Sequence, residues 1–162
     1  DLLPGNIELS GLEITLGNVM SREMILRDYV EMMREHYDYI IIDCMPSLGM
    51  LTINAIVAAD SVLIPVQAAY LPVKGLQQLI RTIAMVKKRL NRRLKIEGIL
   101  LTMVDFRTNY AKDITEKVRR AYGSTVKIFE NAEGVSIFKH CPKGKVAQAY
   151  QGLTMEVLAN EK

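Results

Sequence analysis

A doubly wound α/β fold, with a mostly parallel sheet and helices on both faces, is what this sequence predicts. Two patterns carry the prediction. Short apolar runs rich in β-branched residues alternate with longer stretches of helical periodicity, and strand, helix, strand, helix implies parallel pairing through right-handed crossovers. A carboxylate, Asp43, also falls at the carboxyl end of one such run, where ligands of open α/β sheets bind. The length, 162 residues with 49% hydrophobic and 24% charged residues, fits one domain over 1–162 with a substantial core.

Each element has its own signature. Residues 39–42, "YIII", and 61–65, "SVLIP", are short apolar runs bounded by turn formers, and 96–104 is a longer one. All three read as strands buried on both faces. Residues 126–129 read as a weaker fourth. Helical patterns cover 21–36, 51–58, 73–90, 109–122 and 146–160. In the third of these Leu76, Leu79, Ile80, Ile83, Val86 and Leu90 recur at helical spacing, with Gln77, Gln78, Arg81, Lys87 and Lys88 between them. Ser21 suits a helix start, and Asn109 suits the cap of the fourth helix.

Composition excludes some classes. No apolar run approaches the roughly 20 residues of a membrane-spanning helix, and Asp1-Leu2-Leu3-Pro4 has no secretory signature, so a cytoplasmic protein is expected. Cys44 and Cys141 lie far apart and suggest neither a disulfide framework nor a zinc site. A net charge of +3, from 21 basic and 18 acidic residues, permits nucleic-acid binding without requiring it. The densest basic stretches are "KKRLNRRLK" (87–95) and "KVRRAYGSTVK" (117–127). Each reads either as a solvated helix end suited to the helix dipole or as a phosphate-binding patch.

Asp43 has two readings on its own. A carboxylate at a strand end can hold Mg²⁺ through water beside phosphates, the Walker B role. It can equally cap the following turn. The Ser47 hydroxyl and the amides after it likewise make either a turn or a sensor of a terminal phosphate.

The wider stretch "DYIIIDCMPSLGMLTINAIVAADSVLIPVQ" (38–67) closely resembles the Walker B and switch II region of the ParA/Soj family of partition ATPases, relatives of MinD. Leu51, Thr52 and Asn54 stand where that family has the same residues. "PGNIELSGLEITL" (4–16) and "MSRE" (20–23) match before it, and "GILLTMVDFRTNYAKDI" (98–114) and "PKGKVAQAYQGLTMEV" (142–157) match after it. The resemblance implies a P-loop NTPase-like fold and an ATPase for chromosome or plasmid partitioning. It assigns Asp43 to the Walker B carboxylate that orients water on Mg²⁺, and Pro46, Ser47, Leu48 and Gly49 to switch II. The loop at 103–109, with Met103, Asp105 and Arg107, corresponds to the region near the adenine base; a solvated turn is its other reading. Lys117, Arg119, Arg120 and Lys127 fall where the family places DNA-binding cations. Implied cofactors are ATP and Mg²⁺. Implied partners are nonspecific DNA, a ParB/Spo0J-like protein and a second copy in an ATP-dependent homodimer, with no stable membrane association and a nucleoid-associated location.

The sequence departs from the family in places. No G-x-x-x-x-G-K-[ST] loop occurs in these residues, and "KGK" at 143–145 is followed by Val146 rather than a hydroxyl. Asp1-Leu2-Leu3-Pro4 resembles the end of an internal strand. The expectation is therefore a C-terminal portion of a ParA-like ATPase, without the N-terminal strand and P-loop, and with little hydrolysis of its own. Two other readings stay open: a non-catalytic ParA-like module that binds DNA or a partner, and a MinD-like ATPase. Only "ENAE" joins Phe129 to "GVSIFKH", where the family has about a dozen further residues, which points to either a loop missing near 130–133 or a real deletion there. Met45 replaces a usual proline and loosens the turn; Cys141 replaces a usual aspartate.

Overall fold

The apolar run "KIEGILLT" forms the centre of a sheet because a strand buried on both faces needs apolar side chains at consecutive positions. The structure, a computed structural model, describes residues 1–16, 19–67, 73–102, 107–130 and 145–160. Its contacts divide the chain into two units, Asp1–Ser61 with Gln77–Leu94, and Val62–Leu76 with Lys95–Lys162.

The second unit holds the sheet, in the order β1 (Ser61–Gln67), β2 (Lys95–Thr102), β3 (Ile128–Glu130). Strands β2 and β3 are parallel, with Ile99 opposite Ile128, Leu100 opposite Phe129 and Leu101 opposite Glu130. Gly98 through Leu101 are buried in succession, the signature of a strand covered on both sides. Helix α5 (Asn109–Tyr122) buries Ala111, Ile114, Thr115 and Val118, one face at helical spacing. Its N-cap is Thr108, whose hydroxyl accepts the Ala111 amide at 3.3 Å; Asn109, expected to cap, is instead the first helical residue. Helix α6 (Lys145–Asn160) ends the described chain.

In the first unit, α1 (Ile7–Thr15) opens on Asn6, whose side chain accepts from the Leu9 amide at 3.2 Å. Helix α2 (Ile25–Met33) starts later than expected. Ser21 takes a left-handed φ of 54° in the turn that precedes it, which ends any helical run there. Helix α3 (Met50–Ala58) is apolar on all sides and buries Thr52, Asn54 and every residue from Ala55 to Ala58. Helix α4 (Val73–Arg89) buries Ile83 and Val86 in this unit and carries Lys87, Lys88 and Arg89 in its last turn. The Asn91 amide donates to the Val57 and Ala59 carbonyls at 3.0 and 2.7 Å, satisfying the carboxyl end of α3. Arg34 holds Asp60 with two bonds of 2.9 and 2.8 Å, and that pairing raises the guanidinium pKa.

One expected strand is absent. Residues 39–42 form no ladder, and Tyr39 and Ile41 are 56% and 92% exposed. An apolar run supplies a preference for burial, but a strand exists only through hydrogen bonds to a neighbour. Among the described residues the sole sheet is β1-β2-β3, so this run has no strand beside it. Residues 1–4 likewise form no strand, and Leu2 and Leu3 are exposed.

Candidate functional site

Asp43 lies in an irregular segment between α2 and α3, fully in reach of solvent. Cys44 follows it; burial first, and then the Asp43 carboxylate, push its thiol pKa up. The chain bends at Pro46, Ser47 and Gly49, with Leu48 half-buried between them, and enters α3 at Met50. Gly49 is the N-cap, extended at φ −74° and ψ −179°, and no side chain caps the helix there. Its carbonyl accepts the Ile53 amide at 3.1 Å. The arrangement is thus an exposed carboxylate, a tight bend, and a helix N-terminus whose dipole favours negative charge.

These residues fit a nucleotide-bound Mg²⁺ of the water-rich kind. Mg²⁺ keeps several waters and takes one or two carboxylates plus phosphate oxygens, rather than a cage of protein ligands. Asp43, an exposed carboxylate ahead of a bend and a helix N-terminus, is a donor of that kind.

A residue with no role assigned from sequence joins this site. Asn54 is buried, 4% exposed, in the apolar helix α3. Its side-chain oxygen accepts the Leu26 amide at 3.2 Å, and its amide nitrogen donates to the Arg22 carbonyl at 2.8 Å and the Met50 carbonyl at 3.0 Å. The signal was a single amide side chain in the run "MLTINAIVA"; only the fold tells what it bonds.

In the second unit, Arg107 is exposed just ahead of α5. Met103 and Asp105 lie outside the described residues, as do 131–144, which take in most of the 130–133 stretch where a missing loop was expected. Lys117, Arg119 and Arg120 are exposed on α5. Lys117 pairs with Asp113 at 2.6 Å, which raises its pKa, and Arg120 pairs with Glu116. Lys127 bonds Glu156 of α6 at 2.6 Å and stands 5.0 Å over the Phe129 ring. The α5 cations share one helix, and their exposed ion pairs with Asp113 and Glu116 each contribute little to stability.

Comparison with known proteins adds to this geometry. A family model described as AAA domain matches residues 1–96. The Soj protein of Bacillus subtilis is 44% identical over 170 aligned positions, which take in 99% of this chain and 67% of that protein. The chromosome partitioning protein ParA of Myxococcus xanthus is 53% identical over 118 residues, 73% of this chain and 42% of its own length. Among solved structures, cobyrinic acid a,c-diamide synthase from Mycobacterium smegmatis with bound ATP analogue and magnesium superposes with a TM-score of 0.88. It is 34% identical and covers 99% of this chain and 63% of its own. The chain therefore spans between 42% and 67% of the length of these relatives. The Soj alignment runs over more positions than this chain has residues, so several of its positions are gaps here.

Proposed function

The chain belongs to the ParA/Soj family of partitioning proteins, with the α/β fold of P-loop NTPases, and from that membership we propose that it forms the switch and partner-binding part of a partition ATPase. The observation that carries this reading is the Asp43 carboxylate exposed just ahead of the Pro46–Gly49 bend that opens α3. Asp43 orients water on the Mg²⁺ of bound ATP, and the bend reports the terminal phosphate. Mg²⁺, when bound, would supply charge neutralisation at the phosphates; the protein's own part is to present the Asp43 carboxylate to the ion and the N-terminus of α3 to the phosphates. Met103, Asp105 and Arg107 approach the adenine base.

The protein cycles between a monomer and an ATP-dependent homodimer in the cytoplasm. The dimer binds DNA nonspecifically over the nucleoid through Lys117, Arg119, Arg120 and Lys127, and a ParB-type partner releases it by stimulating hydrolysis. The 162 residues alone turn over little ATP, because backbone amides of a glycine-rich loop supply most of the stabilisation of phosphoryl transfer, and that sequence does not occur among them.

Titration with a fluorescent ATP analogue and Mg²⁺, on these 162 residues and on the protein as its gene encodes it, tests the reading. Binding by the gene-length protein and little by the 162 residues is the expected result. Binding by neither favours a non-catalytic module that holds DNA or a partner without nucleotide control.

A further inference from the structure

Asn54 bonds backbone groups of two segments, the turn that leads into α2 and the first turn of α3. Its amide nitrogen bonds the Met50 carbonyl, which pins the first turn of α3 directly after Gly49, and the Arg22 carbonyl in the turn before α2. Its oxygen takes the Leu26 amide. That amide belongs to the first turn of α2, where the N-cap residue Met24 offers no side-chain bond, so α2 is capped from 28 residues away. All three bonds are buried or half-buried, where a hydrogen-bonded network fixes a unique arrangement and a broken one is costly.

An open surface depression of about 240 Å³ lies beside these segments and α4, lined by Arg22, Glu23, Met50 and Ile53 with Met85 and Val86.

We propose that Asn54 is a positioning residue for ATP hydrolysis: it locks residues 22–26 to the first turn of α3 and so sets where the Pro46–Gly49 bend ends relative to the phosphates. The inference rests on the reading of that bend as the phosphate sensor. Loss of the tie leaves nucleotide binding in place and removes the hydrolysis-competent position of the bend.

The test is steady-state ATP hydrolysis by the gene-length protein, unmodified and as Asn54→Ala and Asn54→Asp, assayed well below each melting temperature. Asn54→Asp keeps an acceptor for the Leu26 amide and loses both donated bonds. Both variants are expected to lose roughly tenfold or more in kcat with KM for ATP within about threefold, the split that marks a transition-state rather than a binding effect. An unchanged kcat in a folded variant overturns the inference and leaves the ATPase reading intact. Absence of turnover in the unmodified protein overturns the ATPase reading and the inference with it. Hydrogen exchange on the unmodified protein covers the case of variants that do not fold. Addition of Mg²⁺ and ATP should slow exchange in 22–26 together with 46–53; a change confined to 46–53 contradicts the tie.

Discussion

At the scale of single residues, Asp43 and Cys44 report on each other. Burial and the neighbouring carboxylate raise the Cys44 thiol above its ordinary pKa, so the neutral thiol is favoured at pH 7 and the reactive thiolate gains only as pH rises through the elevated value. With Cys141 replaced by serine, alkylation of Cys44 should therefore be slower at pH 7 than for an unhindered thiol. Asp43→Asn should move the rate profile to lower pH. An unmoved profile would mean that the carboxylate does not face the thiol. The family to which the stretch around Asp43 belongs was legible in sequence because its neighbours carry a family pattern. The bonds of Asn54 were not: its partners Arg22 and Leu26 lie 32 and 28 residues away, and no local spacing encodes them.

At the scale of elements, Gly98 shows how closely β2 and β3 approach. A Cβ placed there would meet the Phe129 ring and come within 2.7 Å of the Lys127 carbonyl, and backbone cannot move aside as a flexible side-chain end can. Gly98→Ala should cost about 1 to 3 kcal/mol of stability, the usual range for overpacking a close-packed core, read as a lower urea midpoint with unchanged m. A variant as stable as the unmodified chain would show that the strands separate freely. The strand at β2 and the helices at α4 and α5 were readable because their buried faces repeat locally. The run at 39–42 was misread for the complementary reason: it is as apolar as β2, but pairing is a property of two segments, and its sequence names only one. Helix α1 was missed because "IELSGLEIT" mixes polar and apolar residues without a clear face; the Asn6 cap marks where it begins.

At the scale of the whole molecule, the proposed function separates into an ATP-dependent switch around Asp43 and a cationic face on α5. Charge reversal of Arg119 and Arg120 to glutamate should weaken DNA binding by the ATP-bound protein and flatten its dependence on salt, since fewer counterions are released. Unchanged binding at low salt would exclude α5 as the DNA-binding face. Family membership made the overall fold legible, whereas the ion pairs of Lys117, Arg120 and Lys127 with Asp113, Glu116 and Glu156 emerge only once the chain is folded. The central claim is that Asp43 serves Mg²⁺-dependent ATP hydrolysis, and the most direct measurement is the rate of phosphate release by the gene-length protein and its Asp43→Asn variant across a Mg²⁺ titration. A loss of about 100-fold or more in kcat, with the fold retained by circular dichroism, is the predicted result. Equal rates and equal Mg²⁺ dependence would contradict it and reduce the carboxylate to a cap for the turn that follows.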